Sequence, residues 1–317
     1  MSQAVATPPR AAQQAPQRTR RRVPSFVLAL PAWVWLLGFF LAPVSLVIWY
    51  SFGRKPSLFA THSNDVLSFD RYKESMDPAY LPTFVNTLRV GIVGTTLCLL
   101  IALPFAYWLA VKIPARWRGL LLDLVLVPFW TNFLVRTLGW SIILSPQGWV
   151  STTLQAIGLR DAPLSVLYTR GAVQLGVVYN YLPLMILPIY VAFERIEPSL
   201  REASRDLGAN RWRTMLQITL PLARPGIVAG LLLVFIPLMG DYITATVLGG
   251  AKGNMVGQLV ASQFQTAQNW ALGSAMAVIL MTFIGVTVAV LALIFRSASA
   301  IARSRRGFTL DEAEVTR

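Results

Sequence analysis

Acidic residues, thiols and imidazoles are all scarce in this sequence. Its 317 residues include 14 Asp and Glu, one cysteine and one histidine, and only 13% of positions are charged. A single cysteine, Cys98, excludes an intramolecular disulfide and a cysteine metal cluster; it lies inside an apolar run, as a small buried side chain would. His62 stands alone in a polar loop, so neither a histidine zinc site nor a Ser-His-Asp triad has its parts. The dipeptide Gly-Lys occurs nowhere. A phosphate-cradling P-loop needs it before Ser or Thr, so the chain has no such nucleotide site of its own. No catalytic residue, metal or cofactor is expected.

Apolar residues are abundant, at 55% of the chain. So little charge cannot cover a soluble domain of this size, which places much of the chain in lipid. The net charge of +14 does not point to nucleic acid, because the cations fall in the gaps between apolar runs rather than on one domain. A membrane-crossing helix needs about 20 apolar residues. Six runs qualify: 26–50, 84–111, 119–145, 172–193, 225–248 and 273–295. The first is too long for a signal-peptide core, lacks a small-residue cleavage site and ends in Trp49-Tyr50, so it reads as a retained span. The expected fold is all-α, with six transmembrane helices.

Basic residues orient these spans. The N-terminal arm, residues 112–118, the 194–224 loop and the tail from Arg296 hold 19 of the 28 Lys and Arg. Segments 51–83, 146–171 and 249–272 hold seven. Positive loops stay in the cytoplasm, so both termini are expected inside. Residues 1–25, rich in Pro, Gln, Ala and Arg, read as a disordered arm resting on anionic headgroups. Residues 26–83 are expected to hold the first span and the longest external loop, 84–295 the remaining five spans, and 296–317 a cytoplasmic tail.

The 194–224 loop carries the most specific pattern. Ser199 and Glu202 have capping-box spacing, and good helix formers run on to Gly208, which suits a left-handed C-cap. Asn210 is placed to cap a second short helix over 211–219, with Pro221 to stop it. Ala203, Leu207, Trp212 and Leu216 offer an apolar stripe among Arg201, Glu202, Arg205, Asp206, Arg211 and Arg213. A membrane-surface helix and a docking helix for a soluble partner both fit that composition.

The segment resembles the EAA motif of permeases from binding-protein-dependent ABC importers. Glu202, Ala203 and Ser204 are followed at the family's spacing by Gly208, Ile218, Leu220 and Pro221, with Ser204 replacing the second Ala. The resemblance implies a type I importer permease fold, with the first short helix coupling to a separate ATP-hydrolysing subunit through Glu202, Ala203 and Gly208, and Pro221 fixing the turn into the fifth span. Asn86-Thr87-Leu88 and residues 106–110 resemble the opening of that family's core domain. Residues 128–140 and 240–264 resemble spermidine/putrescine permeases. That likeness implies polyamine import, an extracytoplasmic binding protein, and a second permease that is a different chain. Importers of iron(III), sulfate, phosphonate or opines share the same framework. An ion-coupled secondary transporter would want inverted repeats and buried ion ligands, for which Asp241 is thin support.

Charges within spans usually face a cavity or a partner. Arg89 and Asp123 lie near span ends and can reach the interface. Arg136 and Asp241 both sit about 25 Å from the cytoplasmic ends of their spans. They read either as an ion pair bracing spans three and five, or with Asp241 facing a translocation path lined by Trp130, Tyr179, Tyr181 and Tyr242, whose rings suit a polycation. Pro183 and Pro188 in span four, and Pro237 with Gly240 in span five, are expected to bend or open those helices.

Overall fold

The computed structural model describes residues 25–57, 59–250 and 252–315, and every regular element among them is helical. The arm expected over residues 1–25 lies, but for Ser25, outside the described residues. Five helices among the described residues are long and apolar enough to cross a membrane: Ala29–Ser51, Leu81–Lys112, Arg170–Glu194, Arg211–Met239 and Trp270–Leu293. The bent pair Ala115–Trp130 and Phe133–Ile143 makes a sixth if counted as one span. The chain divides into two units at Leu46–Val47.

In the first unit the helix is apolar on all sides, as a lipid-facing helix is. Trp33, Trp35, Phe39 and Phe40 are exposed, and Trp35 stacks on Phe39 with ring centroids 4.0 Å apart.

In the second unit the helices beginning at Leu81, Arg170 and Arg211 pack as a central trio. Without a hydrophobic drive between helices in lipid, close backbone approach supplies the attraction, and small residues permit it. At Gly226 an added Cβ would collide with the Ala192 Cβ and lie 2.5 Å from the Pro188 carbonyl oxygen. Cys98, Ala102, Ala106, Val177, Met185 and Ile189 fill the interior. Outside the trio, segment 52–81 folds back on itself through an antiparallel bridge between Arg54 and Ser63. It meets the start of the last span, where the Trp270 N–H donates to the Thr61 carbonyl at 3.2 Å and Lys55 Nζ to the Ala267 carbonyl at 2.6 Å.

Three expectations need correction. The run at 119–145 is not one straight span: its two helices meet at 86° across Thr131-Asn132. The first ends at Trp130, two residues beyond Pro128, and the Asn132 side chain caps the second, accepting from the Leu134 N–H at 2.8 Å. Pro221 does not stop the second loop helix. A π-helical turn at Met215–Thr219 widens the backbone just ahead of it, so the helix runs from Arg211 into span five. Span five then ends at Met239 rather than 248. Gly240 breaks it, and a separate π-helical turn follows at Ala245–Gly249. The last helix, Trp270–Val315, takes in the expected span at 273–295 and runs on into the tail.

Candidate functional site

The 194–224 loop is built from its own hydrogen bonds. Its first helix, Pro198–Asp206, begins two residues earlier than the capping box required, because Pro198 presets the first helical φ. Ser199 therefore lies inside the first turn, its hydroxyl donating to Glu197 Oε2 at 3.3 Å, and no capping box forms. The helix ends at Gly208 in the left-handed region, φ +82°. There the Gly208 N–H donates to the Arg205 carbonyl at 2.8 Å and the Ala209 N–H to the Ser204 carbonyl at 3.1 Å. This paired closure satisfies two carbonyls that the helix end leaves free. Asn210 then caps the second helix, accepting from the Arg213 N–H at 2.8 Å.

Ser204 explains its own departure from the motif. Its buried hydroxyl lies 3.0 Å from the Thr214 hydroxyl on the second helix, which also donates to the Asn210 carbonyl at 3.2 Å. An alanine would fill the same space but leave Thr214 one partner fewer. No motif position marks Thr214, so the sequence alone does not reveal it. One turn away, Arg201 is buried on the same inward face. Glu202, Ala203, Leu207 and Gly208 are on the exposed side, with Leu207 89% exposed, followed by Trp212 at 71% and Leu216 at 62%. Ile218, Leu220 and Pro221 are half-buried where the loop enters span five.

The loop is also tied to the rest of the unit ahead of its first helix. Tyr190 donates to Glu194 Oε1 at 2.6 Å, and Arg118 Nη1 lies 3.9 Å from the same oxygen. Arg118 Nε donates to the Ile113 carbonyl at 2.9 Å. These contacts join the end of span four, just ahead of the loop, to the 112–118 turn.

At the other candidate region the expected ion pair is absent. Arg71–Glu74 and Arg118–Glu194 are the ion pairs among the described residues. Asp241 uses both carboxylate oxygens locally: Oδ1 accepts the Thr244 N–H at 2.9 Å and Oδ2 the Thr244 hydroxyl at 2.5 Å. It caps the turn after the Gly240 break and is only 6% exposed. The spacing Asp241-x-x-Thr244 carried that signal, and the expectation of a continuous helix hid it. Arg136 instead lies over aromatic rings from both arms of the bent span, 5.5 Å from the Phe129 centroid and 5.7 Å from that of Phe133. Its Nε and Nη1 are buried without a hydrogen-bond partner. The 86° bend is why a depth count along a straight rod does not apply to Arg136.

Around Arg136 the aromatics divide. Phe133 packs on Tyr181 at 5.9 Å, Trp140 on Tyr179 at 5.3 Å, and the Tyr181 hydroxyl reaches the Pro237 carbonyl at 3.5 Å. Asn180 donates to the Thr137 hydroxyl at 3.1 Å, joining span four to the bent span. Tyr181 is buried, whereas Trp130, Tyr179 and Tyr242 are exposed. No cluster of three metal-ligating side chains occurs among the described residues.

Residues 102–306 match the family model described as the binding-protein-dependent transport system inner membrane component. The chain is 42% identical over 262 residues to the spermidine/putrescine transport system permease protein PotB of Haemophilus influenzae, covering 82% of this chain and 88% of that protein. To PotB of Escherichia coli it is 38% identical over 251 residues, 79% of this chain and 90% of that one. Among solved structures, a bacterial ABC transporter involved in alginate import superposes with a TM-score of 0.69 at 17% identity, covering 86% of this chain and 94% of that one. The MetNI methionine ABC transporter gives 0.51 at 18%, covering 68% and 94%. A family model spanning most of the chain, relatives sharing two residues in five along most of their length, and the same helical fold all agree: the chain belongs to the family of inner-membrane components of binding-protein-dependent ABC transport systems.

Proposed function

We propose that the chain is one permease subunit of an ATP-driven importer for polyamines, spermidine and putrescine, and that it couples the membrane path to a separate ATPase. The observation that carries the solute class is the 42% identity to a spermidine/putrescine permease along most of both chains. Coupling rests on the loop helix Pro198–Asp206, whose outward face of Glu202, Ala203, Leu207 and Gly208 is not covered by this chain. The partners are ABC ATPase subunits at that face, a second, different permease chain, and an extracytoplasmic binding protein. ATP hydrolysis belongs to the ATPase, and this chain makes no covalent chemistry.

Trp130, Tyr179 and Tyr242 are the path-facing aromatics, being exposed around the break in span three and the break after span five. Tyr181 and Asp241 are buried, Tyr181 against Phe133 and the Pro237 carbonyl and Asp241 as the cap of the turn after Gly240. In this conformation both Asp241 carboxylate oxygens are engaged by Thr244.

The chain crosses the membrane six times with both termini in the cytoplasm, residues 26–83 forming the first span and external loop, 84–295 the core and 296–317 the tail. Cys98 is fully buried, so it gives little background in thiol labelling. A membrane-impermeant maleimide is expected to label Leu67→Cys in intact cells, and Leu207→Cys only after permeabilisation. The reverse pattern would overturn the orientation. For the solute, uptake of labelled spermidine in cells lacking this chain and other polyamine routes is expected to fall to background. Undiminished uptake would overturn the polyamine assignment.

A further inference from the structure

A pocket lies away from the aromatic region, where the start of span two, the start of span four and residues 252–256 converge. It encloses about 630 Å³ and is lined by Asn86, Thr169, Arg170, Gly171, Lys252 and Asn254, among others, with no carboxylate in its wall. Its frame is tied together by hydrogen bonds. Asn86 Nδ2 donates to the Asn254 carbonyl at 2.7 Å, the Val256 N–H to the Thr87 hydroxyl at 2.8 Å, and Arg170 Nε to the Lys252 carbonyl at 3.3 Å. The Asn86-Thr87 pair singled out in the sequence thus holds the 254–256 segment against span two.

The chemistry of the pocket is of one sign. Arg170 and Lys252 are exposed, and neither has a carboxylate within 4 Å among the described residues. Arg170 also opens a 25-residue helix, capped by the Thr169 hydroxyl, which accepts from the Ala172 N–H at 3.3 Å. The positive end of that helix adds to the two side-chain charges. In the same wall Asn86 is only 5% exposed, and its Oδ1 has no hydrogen-bond partner. A ligand completing the site supplies a carboxylate to the cations and an N–H or O–H donor to Asn86.

We infer that this pocket is the socket for an acidic side chain of the extracytoplasmic binding protein, the neighbouring backbone N–H of the same loop meeting Asn86. The inference rests on the importer reading and its orientation, which put the pocket on the external face. A polyamine repels two unpaired cations, so the pocket does not suit the transported solute. A docking loop bearing Asp or Glu has both groups the pocket lacks. Complementary charge of this kind speeds encounter, fixes register and makes affinity depend on salt.

The test uses the complete complex in nanodiscs, with its ATPase and partner permease, and the spermidine-loaded binding protein encoded with them. Wild-type affinity is expected to fall with rising ionic strength. Lys252→Gln is expected to weaken it about threefold, and Arg170→Gln with Lys252→Gln about tenfold with a flatter salt dependence. Recovery of affinity when Lys252→Glu is paired with an Asp or Glu→Lys change in the binding protein would locate the contact. Unchanged affinity and salt dependence in both variants, with the wild type still binding, overturns the socket but leaves the importer reading intact. Failure of the wild type to bind the spermidine-loaded protein overturns both. Variant effects that appear only when anionic lipid is included would assign the pocket to headgroups and overturn the inference.

Discussion

Replacing Gly226 by leucine is expected to abolish uptake by forcing apart spans four and five. The new Cβ alone would strike the Ala192 Cβ and the Pro188 carbonyl, and one obstacle is backbone, which cannot swing aside as a flexible side chain can. Overpacking of a well-filled contact costs roughly 1–3 kcal/mol, and a backbone obstacle puts this case at the upper end. The measurement is the thermal midpoint of the detergent-solubilised complex together with uptake, both expected to drop sharply. Gly119→Ala and Gly139→Ala are the controls, since an added Cβ at either position meets nothing within 4 Å. Those two variants are expected to leave the midpoint within about a degree of wild type. Equal midpoints for all three variants would contradict the packing described for the trio.

Ala203→Trp is expected to separate folding from coupling. Ala203 is exposed on the outward side of the loop helix, while the inward side is fixed by Ser204 against Thr214 and by the closure at Gly208. An indole therefore leaves this chain's fold alone and occupies the surface where the ATPase is proposed to dock. Loss of a central contact in a protein interface costs about 2–4 kcal/mol, so ATP-driven uptake should fall roughly 100-fold. The thermal midpoint of the permease without its ATPase should not move. Undiminished uptake would mean that the outward face of Pro198–Asp206 is not the docking surface.

The apolar runs were legible because composition alone distinguishes lipid-facing sequence. The breaks inside them were not, because composition carries no direction. Residues 119–145 remain apolar through an 86° turn, and the only signs were Pro128 and the capping side chain of Asn132. Pro221 misleads for the opposite reason. A proline normally ends a helix, but the π-helical turn at Met215–Thr219 accommodates it. In the loop, Gly208 and Asn210 were readable because left-handed closure and N-capping are local chemistry. Ser204 with Thr214 was not, since the hydroxyls meet only after the two helices fold together. Arg136 and Asp241 are natural partners only if both spans are straight rods. Once Gly240 breaks one helix and Thr131-Asn132 bends the other, each side chain finds a nearer companion, Thr244 for Asp241 and two phenylalanine rings for Arg136.

The most direct test of the coupled-importer account is labelled spermidine accumulation in proteoliposomes. They would contain this chain, its partner permease and its ATPase, with binding protein on the opposite face from the nucleotide. Accumulation that requires ATP hydrolysis, stops with orthovanadate and is unaffected by collapsing proton and sodium gradients is the predicted result. Accumulation without ATP, driven by either ion gradient, would contradict it.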